Sequence, residues 1–462
     1  MLKKVYENVL KDVPDYKIVL TNEEMDASSE RLAEEFPDCV ELKTLCMTRA
    51  GKPLYCLKIG HGERNALFLG APHPNEPIGS MLLEYFSRRL AEDKELQDEL
   101  GYTCYIVKAW DRDGMVLNEG WFKGPFTVTN YARNFYRPTH LEQVDWTFPI
   151  DYQELHYHKP IPETKAVMDL MEEIKPEFLY TLHNGGFGGV YWYLTRNMPE
   201  IADELRAAAD RQQVPLDLGE PEMPYCELYS PAIYRLSTIE DKYDYMEKSG
   251  LDRVGERIIY GTCSGDYSNQ HYGTQTILNE MPYFFDPRIS DMNDSERSLK
   301  DVVLEKIDFE EKSNHAILSS VAAVRKYISK DNLFLRMIDE FCTESLTEAA
   351  KIQAQTDPDY LRKARIAEEF TAIPVNKFYK LLSFGVLLRM HEKELADMNA
   401  RGEKDEEKYN ALESGRKNAK AMFYDLAEHL EKELHYEVIP LKKLITIQLT
   451  SGFLTLEYLK EH

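Results

Sequence analysis

The chemistry in this chain starts with His73 and Glu76, in the stretch Gly70–Gly79 (GAPHPNEPIG). They lie just beyond an apolar run and at the start of a helical pattern. The H-x-x-E spacing places an imidazole and a carboxylate on the same side of a strand-to-helix turn. That arrangement suits two ligands of one Zn2+. Taken alone, such a match describes a capping glutamate beside a surface histidine equally well. A second stretch, Phe178–Gly189 (FLYTLHNGGFGG), shifts the balance. His183 ends an apolar strand, and the glycines after it release the chain from the sheet. Ligands of open α/β sheets gather at the carboxyl ends of strands. His73 follows one strand and His183 ends another, so the two can meet across that edge. Two histidines and one glutamate leave a fourth zinc position open for water, as a catalytic site requires. The third stretch is Ile259–Phe284, where a small-residue loop leads into a strand ending at Glu280. A carboxylate there could take a proton from zinc-activated water and deliver it to a leaving amine. Tyr260 could offer a phenol to the substrate. The pair His156 and His158 (HYH) reads as solvent-facing.

The elements that must position these residues are legible in outline. Leu54–Gly60, Ala66–Ala71, Tyr102–Trp110, Phe178–Leu182 and Thr274–Leu278 read as strands, and Pro77–Ala91, Glu163–Ile174 and Pro199–Arg211 as helices. Strands alternating with helices predict an α/β domain with a mixed, largely parallel central sheet flanked by helices. Asp286–Asn293 (DPRISDMN) marks a boundary. The expected organisation is a catalytic domain over 1–290 and an α-helical C-terminal region over 291–462. In that region helices are expected at 295–329, 331–354, 358–371, 375–400, 403–435 and 439–460. The most apolar run, Phe378–Leu388, is expected to pack on the catalytic domain or on another subunit. His391, His429 and His435 have no ligand-like arrangement.

Length and composition narrow the class. The chain has 462 residues, 56 Lys and Arg against 80 Asp and Glu, and a net charge of −24. So large a negative excess argues against nucleic acid or an anionic membrane surface as the main partner. No apolar run approaches the roughly 18 residues that span a bilayer. The N-terminal segment lacks the apolar stretch and cleavage site of a signal peptide. Seven cysteines with no CxxC pair fit free thiols in a reducing compartment, so a cytoplasmic location is expected.

Four segments in order resemble the zinc carboxypeptidase family typified by carboxypeptidases A and B. HPNE matches the family's HxxE zinc motif. DRDG (Asp111–Gly114) resembles its Asn-Pro-Asp-Gly turn, and ARNF (Ala132–Phe135) its Asn-Arg-Asn-aromatic segment. PETKAVMDLMEEIKPEFLYTLH matches the helix–strand run ending in the third ligand. TRAGKPLYCLKIG looks like the opening hairpin. The resemblance covers about residues 15–287. It implies a metallocarboxypeptidase with one Zn2+ per chain held by His73, Glu76 and His183. Glu280 would be the general base, and Tyr260 would contact substrate. Arg133 would clamp the substrate carboxylate with Asn134 beside it, because a guanidinium grips a carboxylate in a planar, bidentate way that lysine cannot match. Two positions depart from the family. Ala132 stands where the family has an asparagine of its carboxylate clamp. The arginine that polarises the scissile carbonyl has no counterpart in its window, where Lys123 or Arg137 could substitute.

The Ala132 departure keeps a second substrate class open, small N-acyl amino acids or cell-wall peptides, which a related zinc amidohydrolase or deacylase would cleave. A third reading is a catalytically inactive carboxypeptidase-like protein that binds a partner. The helical region could shape the mouth of the site, stiffen the catalytic domain or pair two copies into a homo-oligomer.

Overall fold

The computed structural model describes residues 2–218, 222–342 and 347–462. They form two compact units. The first comprises Met1–Lys123, His140–Phe284 and Ile439–His462; the second comprises Gly124–Thr139 and Phe285–Val438. This division differs from a single cut at residue 290. The last helix belongs with the first unit, and a short early segment belongs with the second.

The first unit is built on nine strands: β1 (Val40–Met47), β2 (Pro53–Ile59), β3 (Arg64–Gly70), β4 (Tyr102–Val107), β5 (Phe178–Leu182), β6 (Tyr191–Leu194), β7 (Leu228–Ser230), β8 (Ile233–Arg235) and β9 (Gln275–Glu280). They lie in the order β1-β2-β4-β3-β5-β9-β6-β8-β7. The centre, β4-β3-β5-β9, is parallel throughout. Antiparallel pairs occur on either side, β1 with β2, β2 with β4, and β6 with β9. The fold is thus a mixed α/β sheet flanked by helices. Its central strands read as unbroken apolar runs (ALFLG, YTCYIV, FLYTL) because helices cover both faces, so neither set of alternating side chains meets water.

On one face, Val167, Leu170 and Met171 of the helix Pro162–Ile174 pack on Leu67, Leu69 and Leu179. On the other lies the C-terminal helix Leu441–Glu461. Its Phe453 stacks on Tyr6 at 4.5 Å, and the Tyr180 hydroxyl donates to the Gln448 carbonyl at 2.8 Å. Residues Leu444–Leu456 of this helix are buried all round, which is the pattern of a core element. Each such large apolar side chain contributes about 1.5–3 kcal/mol on burial.

The expected elements shift in two places, and a third expectation falls partly on residues that are not described. The strand from Tyr102 ends at Val107, where the chain turns off to form the DRDG loop. The expected helix 358–371 is a 3-10 turn, a short strand Lys363–Arg365 paired with Asp294–Ser298, and a helical turn Ile366–Phe370. Within the expected helix 331–354, residues 343–346 lie outside the described residues.

The second unit is mainly helical, with long helices Leu299–Val324, Asn376–Arg401 and Glu406–Glu433. The apolar run Phe378–Leu388 is consumed inside this unit. Tyr131, on the short helix Val128–Asn134, stacks on Phe378 with ring centroids 6.0 Å apart. Among the described residues, no helix is long and apolar enough to cross a membrane. The seven cysteines are free thiols.

Candidate active site

The loop that carries His73 and Glu76 is fixed from both ends. As β3 ends, the Trp110 N–H donates to the Gly70 carbonyl at 2.9 Å and the Asp111 N–H to Ala71 at 3.1 Å. Asp111 caps the turn Arg112–Val116 by accepting from the Gly114 N–H at 3.0 Å. Pro74 packs on Gly114 so closely that a Cβ there would lie 2.7 Å from its ring. The DRDG segment therefore supports the HPNE loop. The helix Ile78–Glu92 then begins against the end of β5, where a Cβ on Gly79 would come within 2.2 Å of the Leu182 side chain. Only glycine allows that approach, which draws Glu76 toward His183.

Three side chains converge as a result. Nδ1 of His73 lies 3.1 Å from Oε1 of Glu76, and Nδ1 of His183 lies 3.0 Å from its Oε2. The ligand atoms of all three fall within 4.8 Å of one another, and all three residues are buried. Burial alone would raise the Glu76 carboxyl. The imidazoles of His73 and His183 outweigh it and hold that carboxyl well below the usual carboxylate range. Two imidazole nitrogens and a carboxylate, dry and convergent, are the donor set Zn2+ accepts at about 2.0–2.2 Å. Glu280, at the end of β9, brings its Oε1 to 3.9 Å from His183 Nδ1.

Residues 25–220 match the family model described as Peptidase_M14, zinc carboxypeptidase. That segment is a zinc carboxypeptidase family domain. It contains all three converging residues, while Tyr260 and Glu280 lie beyond it. No curated protein sequence matches the chain. Solved structures with a similar arrangement include a metallo-carboxypeptidase from Burkholderia cenocepacia, at 16% identity and a TM-score of 0.35, covering 57% of this chain and 60% of that one. Another is carboxypeptidase A from Helicoverpa armigera, at 14% identity and a TM-score of 0.37, covering 61% of this chain and 71% of that one.

The remaining sequence-selected residues of the carboxypeptidase domain and its neighbour take other surroundings. Tyr260 is mostly buried; its hydroxyl accepts from the Lys242 ammonium and its ring stacks on His140 at 4.4 Å. Arg133 belongs to the second unit, where Nη2 reaches both oxygens of Glu392 at 2.7 and 2.8 Å. Asn134, also in that unit, donates to the Asn130 carbonyl at 3.0 Å. Lys123 pairs with Glu24. His156 and His158 are exposed and share one oxygen of Asp151.

Three residues near the converging side chains escaped the sequence reading. Asp145 is buried, with Oδ2 at 3.9 Å from His183 Nε2, and it accepts from the Ser264 N–H at 2.8 Å. Burial raises its carboxyl, and His183 opposes that rise. Asn184 ties the end of β5 to the HPNE loop: its N–H donates to Glu76 at 3.3 Å, and its Oδ1 accepts from the Ile78 N–H at 3.2 Å. Gln448, on the C-terminal helix, donates to the His183 carbonyl at 3.2 Å. A lone acid among aromatics (QVDWTF) and a lone amide in an apolar helix (ITIQLT) were the available signals.

Proposed function

We propose that this protein is a zinc-dependent metallocarboxypeptidase, hydrolysing a C-terminal peptide bond. The observation that carries the reading is the convergence of His73, Glu76 and His183 with Glu280 beside them. His73 Nδ1, His183 Nδ1 and the Glu76 carboxylate would hold the ion. When bound, Zn2+ supplies Lewis-acid polarisation of the amide carbonyl and acidifies water toward a pKa of about 7. Glu280 would accept the proton of the attacking water and return it to the departing nitrogen. With Nδ1 as a ligand, the Nε2 side of His183 would face Asp145, whose Oδ2 lies 3.9 Å away, beyond hydrogen-bond reach, so that carboxylate would act on the ring through its charge. Tyr260 would orient the substrate from its seat beside Lys242.

One observation favours a second substrate class. Arg133 is engaged by Glu392, and Ala132 offers no partner amide, so a clamp for a free terminal carboxylate would have to displace that ion pair. An amidohydrolase cutting a cell-wall peptide away from a free terminal carboxylate needs no such exchange, whereas a deacylase of small N-acyl amino acids would meet the same free carboxylate. The test is mass spectrometry of a peptide library, half with free and half with amidated C-termini, run with and without chelator. Chelator-sensitive release of single residues from free ends alone supports the carboxypeptidase. Equal cleavage of both halves argues against a carboxylate-reading exopeptidase, and cleavage of neither half shifts the reading to small N-acyl amino acids or cell-wall peptides. The absence of hydrolysis of any peptide or N-acyl amino acid points to a binding protein.

A further inference from the structure

His156 and His158 sit on a short hairpin of the first unit. Its strands, Ile150–Tyr152 and Leu155–Tyr157, run antiparallel with Asp151 directly opposite His156. Successive side chains of a strand point to opposite faces. Ile150, Leu155 and Tyr157 turn inward and join a buried cluster with Ile239, Tyr243 and Ile258. Asp151, His156 and, one step beyond the strand, His158 are exposed. Both imidazoles converge on one carboxylate oxygen. His156 Nδ1 lies 2.7 Å from Asp151 Oδ1, and His158 Nε2 lies 2.9 Å from the same atom. Hydrogen bonds from His156, and then from His158, hold the Asp151 carboxyl below the usual carboxylate range.

Two imidazole nitrogens and a carboxylate oxygen suit a late first-row divalent ion. Imidazole favours such ions, whereas Ca2+ and Mg2+ take oxygen ligands. Among the described residues, Asp151 forms ion pairs with these two histidines and with no lysine or arginine. Its charge is therefore committed to the rings and to nothing that would compete with a metal. All three side chains are more than half exposed, so an ion reaches them from solution without opening the fold. The point now held by Oδ1 is where the ion would sit. The ring nitrogens would move in from 2.7 and 2.9 Å to the zinc–nitrogen distance of about 2.0–2.1 Å, a shift of about 0.6–0.9 Å each. The carboxylate, turning about its own side-chain bonds, would supply the third ligand. Binding releases the protons those nitrogens hold toward the carboxylate. With ligands from both strands, the ion would also clamp the hairpin across its pairing.

We propose that Asp151, His156 and His158 form a second, solvent-facing site for a late first-row divalent ion, separate from the residues that converge at His73, Glu76 and His183. The test titrates Zn2+ into the full-length protein by calorimetry. It compares wild type with His156→Ala, His158→Ala and Asp151→Asn, and with His429→Ala as a control. His429 is also exposed and meets an acid, Glu433, but it has no second imidazole beside it. The wild type and His429→Ala should each take one more zinc per chain than either hairpin histidine variant. That difference should hold whether or not the other site fills, so it stands independently of the hydrolase reading. Asp151→Asn should bind the hairpin ion more weakly. Because the substituted side chains are exposed, all variants should melt with the wild type before zinc is added. The proposal is overturned if the wild type takes no additional ion, or if that ion persists in both His156→Ala and His158→Ala. Its equal loss in His429→Ala, or an affinity unchanged in Asp151→Asn, overturns it as well.

Discussion

His183 and His391 are both buried histidines, and their surroundings differ in kind. Around His183 stand Glu76, Glu280 and Asp145, each with an oxygen within 4 Å of a ring nitrogen. His391, in the second unit, has no hydrogen-bond partner on either ring nitrogen and packs against Gly415. The same contrast runs through the acids. In the helical unit, Glu392 meets Arg133, Glu394 meets Lys408 and Arg401, and Asp286 meets Arg288. Those pairs neutralise charge locally and hold helices together. Around His73 and His183 carboxylates are gathered on imidazoles instead, an arrangement that a divalent cation would complete, although elsewhere in the sheet unit acids meet cations as Glu84 meets Lys108. Burial of a histidine is therefore a weak sign of chemistry, and convergence of several acids on it is a strong one.

The comparison can be broken at its strongest point first. Glu280→Gln should retain metal and lose about 10^2- to 10^4-fold in kcat, the range for removing a general base. Asp145→Asn comes next. Its fold should survive, while metal affinity drops about 10- to 100-fold, as for other second partners of a ligating histidine. Metal content after dialysis against graded chelator measures this, and unchanged affinity would reduce Asp145 to a structural acid. Arg133→Ala is expected to act in the helical unit. With both partners about a third exposed, its ion pair contributes at most about 1 kcal/mol. The ratio of rates on free and amidated peptides should not move. A loss confined to free-carboxylate substrates would place Arg133 in the substrate site.

The smallest effects concern pH, and the two units should respond with opposite sign. Burial pushes the Asp111 carboxyl up to about 7, above its usual 3.8. The folded state then binds more protons than the unfolded one between those values. Stability from this group is present at low pH and is lost as pH rises toward 7 and beyond. Burial pushes the His391 imidazole down to about 4, below its usual 6.5. Here the unfolded state binds more protons, so stability is lost as pH falls from 6.5 toward 4. Urea midpoints across this range should flatten on the alkaline side in Asp111→Asn and on the acid side in His391→Leu. Parallel curves for wild type and variants would remove both assignments.

The sequence made the converging residues legible because they sit at the ends of strands whose apolar runs are unmistakable. Phe178–Leu182 and Pro199–Arg211 coincide with the observed elements. What escaped depends on contacts between distant segments. Gln448 reaches His183 across 265 positions, and nothing local in ITIQLT says that its helix lies against the catalytic sheet. Asp145 has the same difficulty, since a buried acid and an exposed one look alike in sequence. The surroundings of Arg133 were hidden for a related reason. An arginine suits a substrate carboxylate and Glu392 equally well, and its pairing with Glu392 emerges only in the fold.

If His73, Glu76 and His183 hold a catalytic metal with Glu280 working beside it, metal content and chelator-sensitive amide hydrolysis, measured together on wild type and Glu280→Gln, should show one zinc per chain at that site in both proteins and hydrolysis in the wild type alone. Equal turnover in the two, or hydrolysis that survives removal of the metal, would rule this out.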